Sequence, residues 1–232
     1  MRKAEKYYEK IMMPEIQKFH EEIWSKIDAA PENIKQLYCG WKVWFSPIID
    51  HPEVLFIGIN PGGGEGGELS LDTDGILQYC YDESKKSGLI YDTKNIFKEL
   101  EDKVDLSNCI KTNYYYIATK DTSKKNFNTL IDFLGREKDM SGLGDRFYAN
   151  SKKWTQQTLN IIKPKLIICE GKQAFNLVTN CALALKPEID GKDVFLIYSE
   201  DLGINILGYK RKQFSGGIVD PILLKEKIRE II

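Results

Sequence analysis

An α/β fold with a central, mostly parallel sheet, covered by helices in a three-layer α/β/α arrangement, is the class that the sequence predicts. Two runs carry the prediction. Val54-Leu55-Phe56-Ile57 and Leu166-Ile167-Ile168-Cys169 are continuously apolar and bounded by turn signals. That pattern suits strands buried on both faces rather than one. The third observation is the alternation of strand and helix patterns along most of the chain, which favours parallel pairing with helical crossovers. No linker, repeat or low-complexity segment divides the 232 residues, so one domain is expected, with residues 1–35 as an N-terminal helical extension.

The elements follow in order. Tyr8, Ile11, Met12, Ile16, Phe19, Ile23 and Ile27 recur at helical spacing between about Glu5 and Ile27, where Pro14 stands ready to kink or divide the helix. The aromatic and β-branched run Trp41–Phe45 reads as a strand, and His51-Pro52-Glu53 as a turn before the first buried strand. A glycine-rich acidic loop, Gly62 to Gly75, precedes expected helices at Ile76–Lys86 and Asn95–Leu100. Cys109–Ile117 reads as a strand, Asp121–Ser151 as loops with one helix, and Trp154–Ile162 as a helix ending at Lys163-Pro164. After the second buried strand come a helix from Lys172 to about Leu185, strands at Val194–Tyr198 and Ile204–Leu207, and an amphipathic helix from Pro221 to Ile232.

Composition narrows the function. With 42% hydrophobic and 29% charged residues the chain is neither disordered nor fibrous. A net charge of −1 argues against a protein that coats nucleic acid by bulk positive charge, although 33 basic residues leave room for a local patch. The five cysteines are scattered, form no C-x-x-C pair, and have only His20 and His51 to assist them. Zinc, iron–sulfur and disulfide frameworks are therefore unsupported, and free thiols in a reducing cytosol are expected. Neither a membrane-spanning run nor the apolar stretch of a signal peptide is present, so a cytoplasmic protein, monomeric and without membrane contact or cofactor, is expected.

The chemistry should gather where the first buried strand ends, at Gly58-Ile59-Asn60-Pro61-Gly62, because ligands of open α/β sheets bind outside the carboxyl ends of the strands. Pro61 restricts itself and Asn60. Gly58, Gly62, Gly63 and Gly64 carry no side chain, so backbone N–H groups can approach a ligand. A plain turn of common turn residues fits the same letters. Gly62-x-Gly64-x-x-Gly67 matches a dinucleotide fingerprint and raises a nucleotide-binding enzyme as a rival, but Glu65–Ser70 does not open an amphipathic helix. Gly171-Lys172-Gln173 lacks the other residues of a P-loop. Ser70 and Tyr81 stand where a calcium loop around Asp72 and Asp74 needs its end ligands.

Four segments, in order and spacing, resemble the uracil-DNA glycosylase superfamily. Leu55–Gly62 looks like its first active-site motif, in the G-[IM]-N-P-G form of the mismatch-specific and single-strand-selective branches. Asn95–Leu100 resembles the N-x-F-x-x-x-L helix, and Cys109–Asn113 resembles the strand ending in a base-reading asparagine. Lys163–Ala174 resembles the KPKLIVALG-x-x-A strand-to-helix segment, so the likeness covers roughly residues 40 to 210.

The resemblance implies a DNA glycosylase fold and an enzyme that hydrolyses the N-glycosidic bond of uracil or another altered base in DNA. Asn60 would position the attacking water, Gly58, Ile59, Pro61, Gly62 and Gly63 would line the pocket, Asn113 would read the base edge, and Tyr79 is the candidate to stack on the base. The departure lies in the second motif. Where the family carries His-Pro-Ser, this chain reads Ile206–Gly217 and has no histidine after His51. Lys210, Arg211 or Lys212 replaces that histidine electrostatically and contacts DNA phosphate, or the site is degenerate and binds without cutting; a solvated turn also fits the run. Tyr114-Tyr115-Tyr116 offers rings for base stacking, with at least one expected in the core.

Overall fold

The computed structural model describes residues 2–61, 88–120, 123–135, 141–182, 192–213 and 216–232. In chain order the elements are α1 (Lys3–Tyr7), a π-helical turn (Tyr8–Met12), α2 (Met13–Asp28), α3 (Glu32–Lys35), β1 (Tyr38–Trp41) and β2 (Val54–Gly58). Then follow α4 (Gly88–Lys98), a 3-10 turn (Leu106–Asn108), β3 (Cys109–Asn113), β4 (Ile117–Thr119), α5 (Lys124–Leu134) and α6 (Leu143–Ile162). The chain closes with β5 (Leu166–Cys169), α7 (Lys172–Ala182), β6 (Val194–Ser199), β7 (Ile204–Tyr209) and α8 (Pro221–Ile231).

Among the described residues, five strands form the central sheet in the order β3-β2-β5-β7-β6. The pairs β2–β3, β2–β5 and β5–β7 are parallel, and only β6–β7 is antiparallel. Side chains of successive strand residues leave opposite faces, and both faces here are dry. Leu55 and Ile57 of β2 and Ile167 of β5 enter one apolar cluster with Phe19 of α2, Leu130 of α5, Trp154 of α6 and Phe175 of α7. Val54 and Phe56 of β2 and Ile168 of β5 enter the other, with Phe97 of α4 and Leu224 of α8. Helix, sheet and helix thus form three layers, which is why the strands read as unbroken apolar runs. Among the described residues no helix is long and apolar enough to cross a membrane.

Several boundaries differ from expectation, each for a packing reason. Met13 donates its N–H to the Tyr8 carbonyl, five residues back, so the first helix widens by one π turn just before Pro14. Pro14 has no N–H to continue the regular ladder, and the wider turn absorbs that loss. The strand expected at Trp41–Phe45 lies earlier, at β1, whose Trp41 pairs with Ile117 of β4. Trp41, the last residue of β1, also stacks on His20, and Trp44, beyond the strand, is a buried core aromatic that meets the edge of Tyr8. The expected strand Cys109–Ile117 is two strands in different sheets, broken at Tyr114–Tyr116. All three tyrosines are buried, Tyr115 against Phe127 and Tyr116 stacked on Trp154. They are structural rings rather than stacking platforms for a ligand.

Helix α4 begins before Asn95, at Gly88, and α6 before Trp154, at Leu143, so the segment 121–151 contributes α5 as well as the start of α6. The expected helix Ile76–Lys86, the loop Gly62 to Gly75 with its rival fingerprint, and the end of the Lys172–Leu185 helix beyond Ala182 lie outside the described residues.

His20 is 2% exposed on α2, and neither ring nitrogen has a hydrogen-bond partner among the described residues. Burial lowers the imidazole from 6.5 to about 3. The unfolded chain protonates this ring near pH 6.5 whereas the folded chain resists until about pH 3. The stability due to the neutral ring is complete above the upper value and lost as pH falls toward the lower one. In denaturant titrations at pH 7 and pH 5, the wild type is expected to lose about 2 kcal/mol more than His20→Phe. Equal losses would contradict a neutral, buried ring.

Candidate functional site

The carboxyl ends of β2, β3 and β5 stop at one level because the three strands run parallel in matched register. Gly58 pairs with Asn113, and Ile57 with Cys169, so Glu170 is the next residue out. Cys109 of β3, Ile168 of β5 and Tyr209 of β7 share a sheet face with Phe56. Alternation then puts Lys111, Asn113, Gly58 and Glu170 on that same face.

Gly58 is required here by space. A Cβ built on it would lie 2.2 Å from Asn113 Oδ1 and 3.2 Å from Glu170 Oε2. The volume a side chain would take is therefore occupied by two polar groups from the neighbouring strands. Glu170, 5% exposed at its side chain, accepts from Lys111 Nζ at 2.6 Å, and Lys111 is itself 14% exposed. Asn113 is 6% exposed, and among the described residues its side-chain amide makes no hydrogen bond. A desolvated amide with unused donor and acceptor capacity suits recognition of a ligand edge that offers both.

The turn after β2 is locked from outside the sheet. The carbonyls of Gly58, Ile59 and Pro61 accept from the N–H groups of Tyr114 (2.9 Å), Tyr115 (2.7 Å) and Thr119 (3.2 Å). The Asn60 side chain is oriented within that frame. Its Nδ2 donates to Thr119 Oγ1 at 3.0 Å and to the Pro61 carbonyl at 3.3 Å. The carbonyl can only accept, which fixes which way round the amide sits. Asn60 Oδ1 accepts no hydrogen bond among the described residues. Asn60 is thus an oriented acceptor on a rigid turn.

Lys210, Arg211 and Lys212 are held by different contacts. Lys210 Nζ pairs with Asp193 Oδ1 at 3.1 Å, at the start of the antiparallel strand β6. Arg211 Nε donates to the Gly216 carbonyl at 3.0 Å, while its Cδ passes 3.5 Å from the Cβ position of Gly171. Lys212 is exposed, with its backbone tied to Gly217. Arg211, through its approach to Gly171, passes close to the edge where Glu170 sits. Gly171 holds φ at +122°, a conformation that favours glycine and turns the chain from β5 into α7. Gly62, Gly63 and Tyr79 lie outside the described residues.

Lys111, Thr119, Glu170 and Tyr209 belong to this edge and were not singled out by the sequence. Tyr209 is 2% exposed, and its phenol is held well above its ordinary value, first by burial and then by the nearby Glu170 carboxylate, so it stays neutral. A signal for Glu170 existed: a charge directly after a four-residue apolar strand stands where site residues collect. Among the described residues no group of three or more His, Cys, Asp or Glu side chains could hold a metal ion. No protein-family model matches the sequence, and no curated protein matches it.

Lys111→Met would strand the Glu170 charge without its ammonium partner, and thermal or denaturant unfolding is expected to report a loss of about 3–5 kcal/mol. The double variant Lys111→Met/Glu170→Gln should recover most of that loss; no recovery would mean that the pairing is not what the single variant broke. Gly58→Ala must push the Asn113 amide aside, with an expected destabilisation of about 1–3 kcal/mol in the same measurement.

Proposed function

We propose that this chain is a uracil-DNA glycosylase-like hydrolase that removes uracil or another altered base from DNA by cleaving its N-glycosidic bond. The observation that carries the reading is Asn60, held by its Nδ2 to Thr119 and Pro61 with Oδ1 left to accept from a water. Supporting it are the four ordered sequence segments and the buried Asn113 amide, paired in register with the Gly58 that opens the same turn.

The chemistry follows from what an amide can do. It is too weak a base to take a proton from water early, so the bond to the base must break first. The C1′–N electron pair leaves with the base, and the sugar becomes an oxocarbenium-like cation. Water held by Asn60 Oδ1 adds its oxygen to C1′, and its released proton ends on the departed base. Asn113 grips the base by donating and accepting along its edge while the nucleotide is flipped out of the stack.

A second reading, a binder of the same fold that does not cut, is favoured by the basic run near the carboxyl end of the sheet. Lys210 is spent on Asp193, and Arg211 Nε on the Gly216 carbonyl. These cations are poorly free to stand in for the family's histidine.

Uracil-containing oligonucleotides, single-stranded, mismatched and matched, separate the readings. Release of free uracil that falls about a hundredfold or more in Asn60→Ala supports the hydrolase. Salt-sensitive binding without release supports the binder. No binding at low salt would sink both.

A further inference from the structure

We propose that Glu170 sets the base preference of this site, selecting a base whose Watson–Crick edge carries an exocyclic amino group over one with carbonyls there, as in uracil. The inference rests on the glycosylase reading and narrows its substrate class.

The geometry begins at Gly58. Asn113 Oδ1 and Glu170 Oε2 flank one point, 2.2 Å and 3.2 Å from where a Cβ would be. An amide oxygen and a carboxylate oxygen thus stand side by side on one sheet face, at the edge where ligands of parallel sheets are received. The carboxylate is 5% exposed at its side chain, so bulk water does little to screen it. The Lys111 ammonium at 2.6 Å offsets its charge without lifting it from the edge. Tyr209, neutral and buried, lies near the same carboxylate.

Such an edge discriminates by hydrogen-bond pattern. A carbonyl oxygen brought toward a desolvated carboxylate sets lone pair against lone pair. An amino group in that place donates a charge-assisted hydrogen bond, as carboxylates do with the amino group of cytosine. The Asn113 amide accommodates the remaining positions because it carries both a donor and an acceptor. An amide alone would accept uracil; the neighbouring carboxylate turns the preference toward amino-bearing bases. A purely structural ion pair accounts for the burial, but not for its placement beside an amide that makes no hydrogen bond among the described residues.

The test compares two bases of nearly equal shape. Single-stranded oligonucleotides carry 5-hydroxycytosine or 5-hydroxyuracil on a 2′-fluorinated sugar, which resists cleavage and isolates binding. Fluorescence anisotropy at low salt is expected to give at least about tenfold tighter binding of the 5-hydroxycytosine strand by the wild type. Glu170→Gln should lose most of that ratio, and so should the charge-neutral Lys111→Met/Glu170→Gln variant, which guards against a single variant that does not fold. Equal binding, tighter binding of the 5-hydroxyuracil strand, or a ratio unchanged in the variants overturns the proposal. If the wild type shows no preference yet releases uracil from an ordinary substrate, this inference falls and the hydrolase reading stands. If it binds neither strand and releases no base, the hydrolase reading falls and this inference with it.

Discussion

The candidate site depends on one alignment: β2 lies between β3 and β5, parallel to both, with Gly58 level with Asn113. Parallel strands in matched register end together, so whatever follows the last apolar residue of each is delivered to one line. Here that line receives Asn113, Gly58 and Glu170, with Lys111 two residues behind Asn113. A side chain at Gly58 would occupy the space that the Asn113 and Glu170 side chains share. The glycine matters less as a flexible joint than as a volume left for its neighbours.

The turn is held by a second set of constraints that do not belong to the sheet. Tyr114–Tyr116 look, in sequence, like a strand continuing β3. Instead the chain leaves the sheet after Asn113, and the N–H groups of Tyr114 and Tyr115 reach back to the Gly58 and Ile59 carbonyls. The tyrosine rings bury themselves under α5 and α6, through Phe127, Phe147 and Trp154. That packing fixes the path of β4, and β4 ends in Thr119, whose hydroxyl and N–H hold Asn60 and Pro61. The orientation of one amide is therefore set by an aromatic layer on the far side of the chain.

This division explains what the sequence makes legible. Val54–Ile57 and Leu166–Cys169 are recognisable because burial on both faces leaves no polar position to interrupt them. Asn60 and Asn113 stand out because they follow such runs or sit within a motif. Lys111 does not, since one charge in a strand reads as a solvent-facing position, and Glu170 is marked only by its place after an apolar strand, which says nothing of its partner. Only the register that sets β3 beside β2 and β2 beside β5 turns them into a buried pair. Trp44 fails in the opposite direction. Its β-propensity suggests a place in a strand, yet propensity in aromatic residues reflects a fit to half-buried surfaces, and here packing against Tyr8 supplies that fit.

The buried pair also bears on what the edge of the sheet can do. Replacing an ion pair of this kind by apolar groups is often neutral or favourable for stability, so stability alone gives little reason to keep it. Its two charges nearly cancel, which makes it a poor attractant for phosphate. What it does supply is a fixed acceptor and a fixed donor in a dry place, where an unmatched ligand group is heavily penalised. On the proposed reading, affinity for a polyanion would come from elsewhere on a chain whose net charge is −1, while discrimination would reside at the edge of the sheet. Lys210 bound to Asp193 is consistent with that separation, whereas Arg211, tied through Nε to the Gly216 carbonyl, is the cation that passes near the edge.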